Sequence, residues 1–448
     1  MIEFPPEAKN YFDKKANSFI DALKPSIVRS ENKQRRGSLA HTPVALNIAD
    51  DDIIGRVKHY YHDELDRFLG FEIHEANINE FLPKGAAEDL EKIASKVIRQ
   101  PMIREYCDAN YVREHLVDWI TRRRLQETAD KSWINDLIVS LFSDICDQKI
   151  LTPLEGIQVE VPFKFGQVSF RYFTKSFIDG ILQKLPTGVP DLDEFGKEFR
   201  KRYQGRVYTE FICKAEKNYA QKLAVYHTEK ALEILKFLNP AALEIRAQCF
   251  LGRMGQVTPA QWHAFQVLPG DKVVFFEGVE SSGRLNDFLV DKKYLQTFKH
   301  VGTITDKLLC KVQINDLEKR CLEAISHFAH GVTSPSPQDR LLHALVAIES
   351  VLLKDPNESV QSHLGYRVAL LATSKLEDRK KAVKDFQKGY NLRSRFVHHG
   401  TKLDDIEAAN RVLFLCWSAI YSVIDLTMKF ESKQALLDSL EDELLTPQ

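Results

Sequence analysis

The sequence "FQKGYNLRSRFVHHG", residues 386–400, places two arginines before two histidines and ends in a glycine. Glycine is common just past the end of a helix, where the backbone needs a left-handed conformation. We therefore expect Gly400 to end a helix whose last turn carries His398 and His399. Cations are favourable at such an end because they complement the helix dipole and the free carbonyl groups. The stretch is thus either a capped helix end or a site with chemistry of its own.

Arg393 and His398 are five residues apart, a step of about 140° around an α-helix. They do not share a face if the helix continues unbroken, and they can converge if it ends near His398. A histidine can give and take protons near neutral pH. An arginine keeps its charge and can hold a phosphate with two parallel hydrogen bonds. A fixed cation beside an imidazole is what metal-free cleavage of a phosphodiester requires.

The charge around this stretch differs from that of the whole chain. The chain has 62 Lys and Arg against 63 Asp and Glu, a formal net charge of -1. Within residues 371–400, eight Lys and Arg stand against three acids, which gives 8 − 3 = +5. A local basic surface would attract a phosphate backbone.

Residues 311–435 have the apolar spacing of five helices joined by short loops, which predicts an antiparallel bundle. Pro337, followed by Gln338 and Asp339, fits the first turn of a helix. Residues 436–448 form an acidic tail. The five predicted helices are 315–331, 337–354, 360–374, 377–398 and 404–431.

The rest of the chain divides into two regions, which makes the predicted fold class mixed and mainly α. Residues 1–150 have helical spacing, including "DDIIGRVKHYYHDELDRFLGF" at 51–71. Residues 151–310 are α+β and form either a separate region or one sensor unit together with 1–150. Their predicted elements are a hairpin at 157–173 turning at Gly166, a helix at 215–237, and strands at 206–213, 243–251 and 271–279.

Several function classes lack their sequence signatures. The seven cysteines are scattered without a CxxC pair, which favours free thiols in a reducing cytoplasm. The longest apolar stretch, 412–426, is short for a membrane span, and the start lacks the pattern of a signal peptide. His59 and His62, placed three apart on the predicted helix, do not complete a metal site. We expect no metal, no cofactor and no membrane association.

Three segments in order resemble the Apea-like branch of the HEPN superfamily over residues 315–430. "DRLLHALVAIESVLL", 339–353, resembles the second helix of the family, with Glu349 among apolar residues. "QSHLGYRVALL", 361–371, is similar to the helix that follows. Residues 386–400 resemble the signature segment. Its motif of an arginine, a polar residue and a spaced histidine falls on Arg393, Ser394 and His398, and His399 is also within the family's spacing.

The resemblance implies a metal-independent endoribonuclease of the kind often found in prokaryotic defence or toxin systems. In that family two bundles pair, so a homodimer and an RNA substrate are implied. The resemblance also implies that the 2′-hydroxyl of the RNA attacks the neighbouring phosphate, and that one product carries a 2′,3′-cyclic phosphate. Residues 1–310, which the resemblance does not cover, would respond to a phage or cellular trigger. By this resemblance the catalytic residues are Arg393 and His398, the supporting ones Ser394, His399 and Glu349, and the RNA-binding ones Lys384, Lys388 and Arg395.

Several alternatives remain open at this point. Some relatives have the bundle without nuclease activity, so the second hypothesis is a non-catalytic dimerisation, nucleotide-binding or RNA-binding module. Glu349 is either a buried partner that orients Arg393 or an exposed carboxylate at the edge of the helix. Arg395, one position off the motif, contacts solvent, RNA or an acid. His399 is either a second functional group or a cap.

Overall fold

The computed structural model describes most of the chain, and its contacts divide into two compact units. The first unit consists of residues 1–148 and 213–222, and the second of residues 149–212 and 223–448. The described residues are 4–25, 57–62, 68–75, 78–125, 129–184, 192–256, 260–268, 272–280, 288–355, 358, 360–399 and 402–445.

The first unit combines helices with a four-stranded antiparallel sheet. Its helices are α1 (Pro6–Ala22), α2 (Lys84–Val97), α3 (Pro101–Arg104), α4 (Ala109–Arg124) and α5 (Trp133–Asp144). Its strands are β1 (Lys24–Pro25), β2 (Val57–His62), β3 (Phe68–Glu75) and β4 (Ile78–Phe81). They lie in the sheet in the order β1-β4-β3-β2. Side chains of the helices, with Trp119 and Trp133 fully buried, form one continuous core.

The helix predicted at residues 51–71 is wrong, because β2 and β3 lie there as an antiparallel pair. Their register places Tyr60 opposite Phe71 and Val57 opposite His74. Aromatic and β-branched residues favour strands, and cross-strand pairing outweighs apolar spacing that also fits a helix. His59 and His62 therefore belong to a strand and do not form a helical i, i+3 pair.

Residues 146–310 contain strands and helices that belong mostly to the second unit. The strands are β5 (Cys146–Glu155), β6 (Ile157–Val159), β7 (Phe163–Phe165), β8 (Val168–Tyr172), β9 (Val207–Ala215), β10 (Gly252–Arg253), β11 (Ala260–Leu268), β12 (Lys272–Glu280) and β13 (Phe288–Val290). The helices are α6 (Lys175–Leu182), α7 (Leu192–Tyr203), α8 (Lys217–Phe237), α9 (Lys292–Thr297) and α10 (Lys299–Cys310). The end of β9 and the start of α8, residues 213–222, belong to the first unit. One sheet has five strands in the order β10-β5-β9-β8-β7, and the parallel pair of β6 with β13 and the hairpin of β11 with β12 lie outside it.

The hairpin predicted at 157–173 with its turn at Gly166 is confirmed for β7 and β8, but residues 157–159 form β6, which pairs in parallel with β13. Gly166 has a φ of 59°, a conformation that favours glycine, and the rings of Phe163 and Phe170 stack across the strands with centroids 4.7 Å apart. The predicted strand at 206–213, helix at 215–237 and strand at 271–279 are confirmed as β9, α8 and β12. The strand predicted at 243–251 is wrong, because a short 3-10 turn and irregular backbone occupy that segment.

The C-terminal part of the second unit is helical, and the five predicted segments are present. The helices are α11 (Asp316–Thr333), α12 (Pro337–Leu352), α13 (Gly365–Ala372) preceded by a π turn (Val360–Leu364), α14 (Leu376–His399), α15 (Ile406–Leu426) and α16 (Lys433–Leu445). The N-cap of α12 is Ser336, whose hydroxyl accepts a hydrogen bond from the N–H of Asp339, and Pro337 follows in the first turn. Residues 436–445 of the predicted acidic tail belong to α16, which was not predicted, and Leu436, Leu437 and Leu440 are buried along it.

Helix α15 lies at the centre of this bundle and packs against α12, α13 and α14. Among the described helices, it is the one with the length and hydropathy to cross a membrane, and half of that apolar window is buried inside the protein. On α15, the indole Nε1 of Trp417 donates to the carbonyl oxygen of Phe237 at 2.8 Å. The amide oxygen of Asn410 accepts from the N–H of Ile245 at 2.7 Å. These contacts join the bundle to the sheet-bearing part of the same unit.

Helices α14 and α15 approach closely at Gly389. A Cβ atom added to Gly389 would lie 2.1 Å from Cγ2 of Val412. Because packed cores do not accept extra atoms without displacement, we expect Gly389→Ala to lower the free energy of unfolding by about 1–3 kcal/mol. Denaturant unfolding would measure the loss, and a second change, Val412→Ala, should recover part of it. A Gly389→Ala protein as stable as wild type would contradict this packing.

Candidate functional site

Helix α14 carries most of the residues singled out from the sequence. It runs without interruption from Leu376 to His399, and Gly400, which was expected to end it, lies outside the described residues. Glu377 and Asp378 occupy the first turn, where acidic groups complement the helix dipole. One side of the helix packs into the bundle through Phe386 and Leu392, which are buried. The opposite side faces solvent.

Arg393 lies on the flank of α14 that turns toward α12. Its Nη1 donates to the hydroxyl oxygen of Tyr390 at 3.4 Å, and its guanidinium carbon lies 5.3 Å from the centroid of that ring. The hydroxyl of Tyr390 in turn donates to Oε1 of Glu349 at 2.8 Å. Within the described part of the chain, Nε of Arg393 is buried and has no hydrogen-bond partner. Glu349, Tyr390 and Arg393 thus form a connected chain of polar contacts between α12 and α14.

Tyr390 is a neutral donor in this chain of contacts. Burial, together with the hydrogen bond to Glu349 and the charge of that carboxylate, raises the pKa of Tyr390 to about 12, although Arg393 acts in the opposite direction. The phenol therefore keeps its proton at neutral pH and can donate to Glu349 while accepting from Arg393. Glu349 is partly buried, and the described contacts connect it to Arg393 only through the hydroxyl of Tyr390.

His398 is exposed and leaves α14 on a different side from Arg393. Because the helix is regular through His399, the two side chains point about 140° apart. The structure therefore does not bring Arg393 and His398 together within one copy of the chain. Ser394 is partly buried on the same helix. The backbone of His399 is helical, and its side chain lies outside the described residues.

The three predicted RNA-binding residues share the solvent-facing side of α14. Lys384, Lys388 and Arg395 follow one another at steps of four and seven residues, so they lie on one face. Asn391 lies between Lys388 and Arg395 in this row, and His398 follows at the end of the helix. At about 100° per residue, all five side chains lie within less than a right angle around the helix axis. The exposed imidazole is therefore at the end of a row of cationic and polar side chains, which we call the basic row: Lys384, Lys388, Asn391, Arg395 and His398.

Acidic side chains that follow α14 in sequence partly neutralise the basic row. Nζ of Lys388 lies 2.5 Å from Oδ2 of Asp405, and Nη2 of Arg395 lies 2.8 Å from Oδ1 of Asp404. Elsewhere on the helix, Arg379 pairs with Glu443 at 2.9 Å. The +5 counted over residues 371–400 therefore overstates the charge that this surface presents, because partners from outside that range offset it.

The described residues hold no group of three or more His, Cys, Asp or Glu side chains that could bind a metal ion. All seven cysteines are free, as predicted, and four of them are buried. Burial raises the pKa of the Cys321 thiol to about 12, so this group is not a nucleophile at neutral pH.

Comparison with known proteins found no relative: no protein-family description, curated protein or solved structure matches this chain.

Removal of one hydroxyl should break the contacts between α12 and α14. In Tyr390→Phe, Glu349 and Arg393 both lose a hydrogen-bond partner, so we expect the free energy of unfolding to fall by about 1–2 kcal/mol. Chemical denaturation would measure this loss. Tyr366→Phe is the matched control, because Tyr366 is 47% exposed on α13 and should change stability little. Equal effects of the two changes would contradict a structural role for the Tyr390 hydroxyl.

Proposed function

We propose that this chain is a metal-independent endoribonuclease of the HEPN type and that two copies pair to form its active site. The proposal rests on the three family-like segments in the bundle and on the arrangement of α14. The observation that carries it is the basic row, which ends at the exposed imidazole of His398. A phosphate backbone lying along Lys384, Lys388 and Arg395 would bring a scissile phosphate to that imidazole.

In the proposed reaction, a histidine accepts the proton of the 2′-hydroxyl as the 2′-oxygen attacks phosphorus. The bond to the 5′-oxygen breaks, and that oxygen takes up a proton. The products are a 2′,3′-cyclic phosphate and a 5′-hydroxyl. The guanidinium of Arg393, held by Tyr390, would stabilise the negative charge that develops at phosphorus. His398 is the proposed proton carrier.

A site shared between two copies would accommodate the angle between Arg393 and His398. Side chains about 140° apart on one helix cannot both contact one phosphate unless the second copy contributes. We therefore propose a homodimer in which each cleft uses groups from both bundles. The N-terminal region would restrain the nuclease until a phage or cellular trigger acts on it.

A comparison of an RNA strand with its 2′-deoxy counterpart tests the proposed function. A labelled single-stranded RNA and its 2′-deoxy counterpart would each be incubated with the full chain in EDTA. We expect cleavage of the RNA alone, because the deoxy strand lacks the nucleophile. Cleavage of both strands would contradict attack by the 2′-hydroxyl. Cleavage of neither strand, across RNAs of different sequence and with extracts of phage-infected cells added as a source of trigger, would contradict the nuclease.

The second candidate is a non-catalytic module that binds RNA or dimerises through the bundle. The observation that favours it is that Arg393, Lys388 and Arg395 are already engaged by Tyr390, Asp405 and Asp404. On this account His398→Ala changes stability by no more than about 1 kcal/mol, as expected for a side chain at a helix end. RNA would be bound and released intact.

A further inference from the structure

Two carboxylates lie against the basic row, and their roles differ. Asp405 is the N-cap of α15, and its Oδ1 accepts from the N–H of Ala408 at 2.9 Å. The hydrogen bonds from Lys388 and from that N–H lower the pKa of Asp405. Asp404 precedes the helix and has a side chain that is 67% exposed and pairs with Arg395. Asp405 is therefore held at the start of the helix, whereas Asp404 lies before the helix and is mostly exposed.

The space beside these pairs is large enough for a phosphate group. A groove of about 610 Å³ is bordered by Lys388, Asn391, Leu392 and Arg395 from α14 and by residues 404–407 from the start of α15. The carboxylate of Asp404 lies at the guanidinium of Arg395 on this groove. Carboxylate and phosphate oxygens both accept charge-assisted hydrogen bonds from a guanidinium in the same geometry.

We propose that Asp404 occupies a phosphate-binding position on Arg395 and that an RNA backbone phosphate replaces it when RNA binds. This inference rests on the proposed function, because it assigns a second phosphate contact on the same basic row. Exposed ion pairs of this kind contribute little to stability, so a phosphate can displace the carboxylate at small cost. Asp404 then lowers the affinity for RNA in the resting protein and limits binding to strands with enough further phosphate contacts.

Removal of the competing charge tests this site. Binding of a labelled single-stranded 2′-O-methyl RNA, which cannot be cleaved by 2′-hydroxyl attack, would be followed by fluorescence anisotropy with the full chain. We expect Asp404→Asn to bind about two- to fivefold more tightly at low salt, with the gain fading as salt screens the charges. The matched control is Glu377→Gln, which changes the net charge equally. Glu377 lies at the start of α14, pairs with Lys380 and is 81% exposed.

A double-mutant comparison assigns the gain to Arg395. Arg395→Gln should weaken binding more in the Asp404→Asn protein than in wild type, because only there is the guanidinium unpaired before RNA binds. Equal affinity of wild type and Asp404→Asn, or an equal gain from Glu377→Gln, would overturn the proposal, as would no binding by any of these proteins. Cleavage is measured separately with unmodified RNA. Tighter binding without any cleavage would support the phosphate site and contradict the nuclease.

Discussion

His398→Ala should reduce the rate of RNA cleavage by about 10²–10⁴-fold, the usual contribution of a general acid or base. The imidazole is exposed at the end of the basic row, and the described structure gives it no role in the core. Its loss should therefore change the free energy of unfolding by no more than about 1 kcal/mol. The experiment compares single-turnover cleavage of one RNA by the two proteins in EDTA, with thermal unfolding measured in parallel.

A second histidine at a helix end provides the control for this comparison. His330 is exposed in the last turn of α11 and outside the basic row. His330→Ala should therefore cleave RNA at a rate close to that of wild type. Full activity of His398→Ala, or an equal loss from His330→Ala, would remove His398 from the proposed mechanism.

Arg393→Lys should lose activity while keeping the charge, because an ammonium group cannot donate two parallel hydrogen bonds to a phosphate.

Arg367→Met should destabilise the second unit by about 3–5 kcal/mol, because it removes the guanidinium that pairs with the buried carboxylate of Glu358. The side chain of Arg367 is only 3% exposed. Its Nη1 donates to the carbonyl oxygen of Leu352 at 2.9 Å, and both terminal nitrogens donate to the carboxylate of Glu358, at 2.7 and 2.8 Å. Nη2 also donates to Glu441 at 2.9 Å, which connects α13 to α16.

A change at an exposed ion pair nearby and the pH dependence of stability both test the role of the Arg367–Glu358 pair. Lys354 also pairs with Glu441, and both side chains are 38% exposed, so Lys354→Met should lower the free energy of unfolding by at most about 1 kcal/mol.

Although burial alone would raise the pKa of Glu358, the hydrogen bonds from Arg367 and from the N–H of Lys354 lower it below its usual 4.5. The stabilisation is therefore complete above pH 4.5 and is lost as the pH falls below it. The stability difference between wild type and Arg367→Met should shrink over that range, and a constant difference would contradict the ion pair.

The C-terminal helices could be predicted because their signals are local. Apolar spacing sets the buried face of each helix, and Ser336 with Pro337 sets the start of α12 within four residues of sequence. The strands β2 and β3 could not be predicted in the same way, because pairing between strands decides the structure of residues 57–75. Helix α16 was not predicted because its segment is rich in acidic residues, although the spacing of Leu436, Leu437 and Leu440, which are buried, fits one face of a helix.

The sequence could predict most residues of the site but not the contacts between them. The sequence singled out Arg393 and Glu349 but not Tyr390, and the hydrogen bonds through Tyr390 depend on how α12 and α14 pack. The pairing of Asp404 and Asp405 with the basic row was missed for a similar reason. The two acids were read as the start of a helix, and only the antiparallel packing of α14 and α15 brings them to Arg395 and Lys388. A short loop between helices of opposite direction was the available clue.

We propose that the chain cleaves RNA without a metal, using His398. The most direct measurement incubates wild type and His398→Ala with the same RNA in EDTA and identifies the chemical ends of the fragments. The proposed mechanism predicts fragments with 2′,3′-cyclic phosphate and 5′-hydroxyl ends from wild type and almost none from His398→Ala. Intact RNA with wild type, or identical fragments from both proteins, would contradict it.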